Sequence, residues 1–77
     1  MTHMVEIDHN WEFPNLIMES HEYATKLGGI IRHFVIDGPG GGNPNSIIDF
    51  PSYDAALKFM IYYMDGDIDE AMAYLED

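Results

Sequence analysis

Asp65, Asp67, Asp69 and Glu76 occupy the first, third, fifth and twelfth places of a calcium-binding loop counted from Asp65. That register demands glycine at its sixth place for a sharp turn, and the residue there is Glu70. The apolar spacing after Asp67 also asks for a helix where the loop would run. Calcium therefore drops out. His3, His9, His21 and His33 fall on four separate predicted elements. None has i, i+4 or short-loop spacing to another, and no thiol stands beside them, so no zinc site is legible. The hydroxyls of Thr2, Ser20, Thr25, Ser46 and Ser52 lie in no nucleophile-elbow or triad-like grouping. Paired carboxylates arise by chance in a chain with fourteen acids. The expectation is a protein that is not an enzyme and carries neither cofactor nor metal.

Charge is the chemistry that remains. Fourteen acids against three bases give a formal charge of −11. Like charges this dense repel across a small surface, because the Debye length is about 8 Å at physiological salt. Direct binding to nucleic acid or to an anionic membrane is disfavoured, and a basic protein surface is favoured through electrostatic steering. The acids group as Glu6, Asp8 and Glu12, then Glu19 and Glu22 one turn apart, then Asp65, Asp67, Asp69, Glu70, Glu76 and Asp77. Carboxylates roughly 5–6 Å apart on a helix approximate the spacing of backbone phosphates. The expected partner-binding set is Glu19, Glu22, Asp65, Asp67, Asp69, Glu70 and Glu76, with Trp11 and Tyr62 as aromatic anchors.

A body must carry these charges. Residues 1–77 are expected to form one domain. With no cysteine, the core has to come from apolar side chains alone, and ten aromatics, six methionines and an apolar fraction of 47% supply it. The missing thiols fit a reducing compartment, hence a cytoplasmic location. Met1 to Asn10 lacks the apolar run of a signal peptide, and no segment approaches the roughly 20 apolar residues of a membrane span. Thr2-His3-Met4 reads as a cloning remnant, with Met4 as the natural start.

The densest β-branched and aromatic run, Ile30 to Ile36, is followed by glycines and prolines from Gly38 to Asn45 and by Ser46-Ile47-Ile48-Asp49-Phe50. This predicts a hairpin with a long loop. Apolar residues on both faces of Ile30–Ile36 predict a central strand covered twice, with Ile47, Ile48 and Phe50 as its shorter partner. The bare loop has no lysine and no following phosphate-binding helix, so it is not a P-loop. Met4 to Asp8 alternates as a short edge strand or ordered tail with its acids toward water. Trp11 and Phe13 are expected to cap the core.

Pro14 to Leu27 predicts the first helix, with Leu16, Ile17, Ser20, Tyr23, Ala24 and Leu27 on one face and Gly28-Gly29 as its stop. The alternative is a strand from Trp11 to Met18, broken by Pro14. Ser52 caps a second helix to about Met64, whose core stripe is Tyr53, Ala56, Leu57, Met60 and Met64. Phe59, Ile61, Tyr62 and Tyr63 widen its apolar coverage, which implies burial between layers or a face for a partner. Asp67 with Glu70 opens a third helix as a capping box, with Ile68, Ala71, Met72 and Leu75 inward. The fold class is therefore α+β: a β-hairpin or short antiparallel sheet packed by two or three helices.

Two resemblances follow. In size, acidity, lack of cysteine and lack of an active site, the chain is similar to phage-type anti-CRISPR proteins and other DNA mimics. That resemblance implies a non-enzymatic inhibitor of a nucleic-acid-binding complex. Ala56-Leu57 and Gly66-Asp67-Ile68-Asp69-Glu70-Ala71-Met72-Ala73-Tyr74-Leu75 resemble the last two helices of a ubiquitin-associated domain. The ubiquitin-binding Met-Gly-Phe-like loop of that family is replaced here by a predicted strand and Phe50-Pro51, so only the helix chemistry is shared. The leading functional expectation is an acidic inhibitor that occupies a basic nucleic-acid-binding protein by mimicry of nucleic acid. The alternative is an adaptor or homodimer that uses the apolar second helix from Phe59 to Tyr63.

Overall fold

A computed structural model describes residues 3–9, 14–35 and 43–76. The elements run β1 (His3–Asp8), α1 (Pro14–Lys26), β2 (Ile30–Val35), β3 (Asn45–Phe50), α2 (Tyr53–Tyr63) and α3 (Ile68–Leu75). The three strands form one antiparallel sheet in the order β1-β3-β2. This is a small α+β domain. The predicted hairpin is present as β2 and β3, and Pro14 opens a helix rather than interrupting a strand.

Position within the sheet corrects the expected one. β3 is the central strand and β2 is an edge, with Ile30 and Phe34 exposed and Ile31 only half-buried. The two strands are also equal in length. The density of apolar residues in β2 measures propensity; centrality depends on having two partners, and β1 returns to the free side of β3. Arg32, His33 and a register shift between Ile31 and His33 are the edge signals in that run.

In an antiparallel sheet, residues directly opposite share a face. Val5 and Ile31 flank Ile48, while Ile7 and Phe34 flank Ser46; with Phe50 these form the helix-facing side. On the other side Asn45 donates to Glu6 and Asp8, Arg32 pairs with Asp49 at 3.3 Å, and Met4 and Ile30 are exposed. Asp49 Oδ1 is buried there without a hydrogen-bond partner. The core lies under the helices: Val5, Ile7, Ala24, Ile48, Phe50, Ala56, Phe59, Met60 and Ala71. The Phe50 and Phe59 rings meet at 5.2 Å.

Local chemistry sets the joints. After α1, Gly28 takes φ +87 and the Gly29 amide donates to the Ala24 carbonyl at 2.8 Å. A Cβ on Gly29 would stand 2.9 Å from both that carbonyl and the Phe50 ring, so only glycine permits so tight an entry into β2. Ser52 caps α2 by accepting from the Ala55 amide. Asp67 caps α3 by accepting from the Glu70 amide at 3.0 Å. Its own amide donates to Met64 O, so among the described bonds one half of the expected capping box is formed.

Three helix faces need adjustment. Leu16, expected inward, is half exposed. Phe59, expected as overflow, is fully buried: the inward stripe of α2 centres on Ala55, Ala56, Phe59 and Met60. In α3 only Ala71 is fully buried, while Ile68 and Met72 are exposed, because a short terminal helix touches the body along a narrow line. Trp11, Phe13, Ile36 and the glycine loop from Gly38 to Gly42 lie outside the described residues.

Candidate functional site

A cleft of about 500 Å3 opens between α1, the end of β1 and the end of α2. Leu16, Ile17, Glu19 and Ser20 come from α1, Asp8 and His9 from the end of β1, and Tyr62, Tyr63 and Asp65 from the end of α2. The turn after α2 places Asp65. Its φ of 56 is the left-handed conformation that a short polar residue tolerates, and Gly66 continues it at φ 88 with its amide on Ile61 O. Tyr63 is pinned from the other side, its hydroxyl donating to Asp8 O at 2.8 Å. The Tyr62 ring leans on Tyr23 at 4.7 Å and remains 40% exposed. Burial raises the Tyr62 hydroxyl above its ordinary pKa, and the charge of Glu19 raises it further.

Of the acids expected to bind a partner, the fold gathers Glu19 and Asp65 with Tyr62 at this cleft. Glu22 lies further along α1, beside a shallower depression shared with His21, Thr25 and Lys26. Asp67, Asp69, Glu70 and Glu76 are exposed along α3, with Asp67 engaged as a cap. They line neither the cleft nor that depression. Trp11 lies outside the described residues. Six further residues of the cleft, Asp8, His9, Leu16, Ile17, Ser20 and Tyr63, escaped the sequence-based set; an exposed leucine is indistinguishable from a core leucine by spacing alone.

A second grouping was also invisible in the spacing. Ser46 Oγ lies 2.6 Å from His9 Nε2 and 2.8 Å from His21 Nε2. The ring centroids of His9 and His21 are 5.6 Å apart, and Phe34 sets its ring edge-on to both. A hydroxyl has one proton, so neutral rings must play opposite roles: one Nε2 accepts it and the other donates to the oxygen. The two histidines therefore hold opposite tautomers. Burial holds His9 down to about 4; the neighbouring His21 adds to this and Asp8 opposes it. Burial lowers His21 as well. Ser46 is fully buried and lines neither the cleft nor the depression, while His9 borders the cleft and His21 the depression, so the network joins the two through an internal hydroxyl. It rests on residues 25 and 37 positions apart in sequence, which the pairing of β1 with β3 and the packing of α1 on the sheet bring together.

Among the described residues, no three His, Asp or Glu side chains converge to hold a metal ion. No described helix is long and apolar enough to cross a membrane. No protein-family model matches the chain, and neither the curated proteins nor the solved structures include a match to it.

Proposed function

We propose that this small acidic α+β domain is a non-enzymatic inhibitor that binds a basic nucleic-acid-binding protein or complex in the cytoplasm, in the manner of phage-encoded nucleic-acid mimics. One observation carries the reading: every described carboxylate except Asp49 is exposed, while the basic side chains of Arg32 and Lys58 are already paired with Asp49 and Asp54. An excess of anions that the chain does not neutralise itself favours encounter with a cationic surface. Catalysis has no comparable support, since the buried Ser46 lines neither of the two described depressions. The adaptor or homodimer alternative loses much of its surface: Phe59 is buried, Ile61 and Tyr63 are half-buried, and Tyr62 is left exposed.

The test is a titration against purified nucleic-acid-binding proteins with duplex DNA as competitor. Association should weaken roughly tenfold or more from low to high salt, and DNA should displace the domain. Equal binding at both ionic strengths would reject the reading.

A further inference from the structure

We infer that the cleft between α1 and the end of α2 receives one arginine or lysine side chain of the partner. The inference rests on the function proposed above and assigns its point of contact.

The walls suit a cationic side chain with a long stem. Leu16, Ile17, Tyr62 and Tyr63 offer apolar and aromatic surface, against which such stems pack while the charged head stays at a polar rim. Leu16 is 50% exposed and Tyr62 40%, so two large apolar groups stand bare beside the cleft's carboxylates. A cation over a tyrosine face is attracted by the ring quadrupole. At about 500 Å3 the space lies within the range of ligand-sized clefts.

The rim has the complementary sign. Glu19 and Asp65 come from different elements, and among the described residues no lysine or arginine lines the cleft with them. Asp8 already accepts from Asn45 through one oxygen, so Glu19 and Asp65, with no described hydrogen bond, are the carboxylates freest to meet a ligand. Burial first, and the charge of Glu19 second, raise the Tyr62 hydroxyl, in keeping with a carboxylate beside that ring. The site is also built before any partner arrives. Asp65 is set by the left-handed turn, Tyr63 by its bond to β1, and Tyr62 by Tyr23, so little ordering accompanies binding. The acids of α3 line neither of the two described depressions.

The experiment titrates the full chain, labelled for NMR, with a short arginine peptide and a citrulline peptide of equal length. The arginine peptide should shift the amides of Glu19, Tyr62, Tyr63 and Asp65, and the citrulline peptide should not. Glu19→Gln with Asp65→Asn should weaken binding about tenfold, whereas Asp69→Asn with Glu70→Gln, an equal loss of charge, should weaken it less than about twofold. Tyr62→Phe should bind as the parent does and Tyr62→Ala several-fold more weakly, each variant first being shown to melt cooperatively. Equal losses from the two charge pairs would overturn the cleft while leaving the acidic reading standing. So would equal affinity of Tyr62→Ala and Tyr62→Phe. Absence of arginine-peptide binding at low salt would overturn the cleft outright, the broader reading being judged by its own titration against folded proteins.

Discussion

Strands β1 and β2 both border β3, and among the described strands neither has a second neighbour, yet they end the sheet by different means. On β1 the Tyr63 hydroxyl donates to Asp8 O and the Tyr74 hydroxyl to Glu6 O, so side chains from α2 and α3 take up carbonyls of that strand. Val5 and Ile7 beneath are almost fully buried. β2 has no such described caps. It carries a register shift, Arg32, His33 and two exposed apolar side chains, Ile30 and Phe34. An unpaired strand edge invites pairing with another chain, and covering it or interrupting it are two known defences. The domain uses one on each side. Its net negative charge adds a third, by repelling a second copy.

The contrast is sharpest in the core. Ile7→Ala removes a side chain 2% exposed and should cost about 2–5 kcal/mol, a large part of the stability of so short a chain. Ile30→Ala, at 52% exposure on the other edge, should change stability by less than about 0.5 kcal/mol. Urea melts of the two variants measure both. Similar losses would mean that β2 is as integral to the core as β1, and the asymmetry would be lost.

The two flanks meet over Ser46. His9 extends the β1 side, its amide bonded to Pro44 O, while Phe34 of β2 touches both imidazole rings. Unfolded, His9 takes a proton below about 6.5; folded, it does so only near 4. Between these values the unfolded chain holds the extra proton. The contribution to stability is therefore complete above pH 6.5, declines as pH falls through that window, and is gone below about 4. Its size is about 3 kcal/mol. His21, also lowered, acts in the same direction. Stability of the parent minus that of His9→Gln, measured by urea melts across the window, isolates this slope from the titration of Asp8 and the other acids. A flat difference would show that the network does not exclude the charged form.

Local patterns were legible in the sequence. Pro14, Ser52, Asp67 and Gly28 punctuate the helices through short-range chemistry, and the hairpin stands where its turn residues predict it. What spacing could not reveal was nonlocal. The central place of β3 depends on where β1 pairs, and the union of His9, His21 and Ser46 depends on that same pairing and on where α1 lies on the sheet. The cleft is similar: Glu19 and Asp65 were singled out for charge, but their convergence with Tyr62 follows from how α1 lies on α2. Tyr74 offers no cue, since a tyrosine that caps a carbonyl and one that fills a core look alike at helical spacing. Leu16 and Phe59 exchanged their expected environments for a related reason: a helix with apolar residues on most sides does not declare which side faces the sheet.

The smallest effects probe the sealed edge itself. Tyr63→Phe and Tyr74→Phe keep the rings and remove one hydroxyl donor each. Each should cost about 0.5–1.5 kcal/mol, toward the lower end for Tyr74, whose side chain is more exposed, so that water can replace the lost donor. Burial and then Tyr74 raise the Tyr63 hydroxyl, and burial and then Asp8 raise that of Tyr74, so both remain protonated donors well beyond neutral pH. The two hydroxyls cap carbonyls two residues apart on one strand, and both rings belong to helices packed on each other, so their losses should exceed additivity in the double variant. Urea melts of the two single variants and the double variant close the cycle. A strictly additive result would make the caps independent ornaments of α2 and α3; coupling would show that the two helices hold the β1 edge as one unit, which nothing described does for β2.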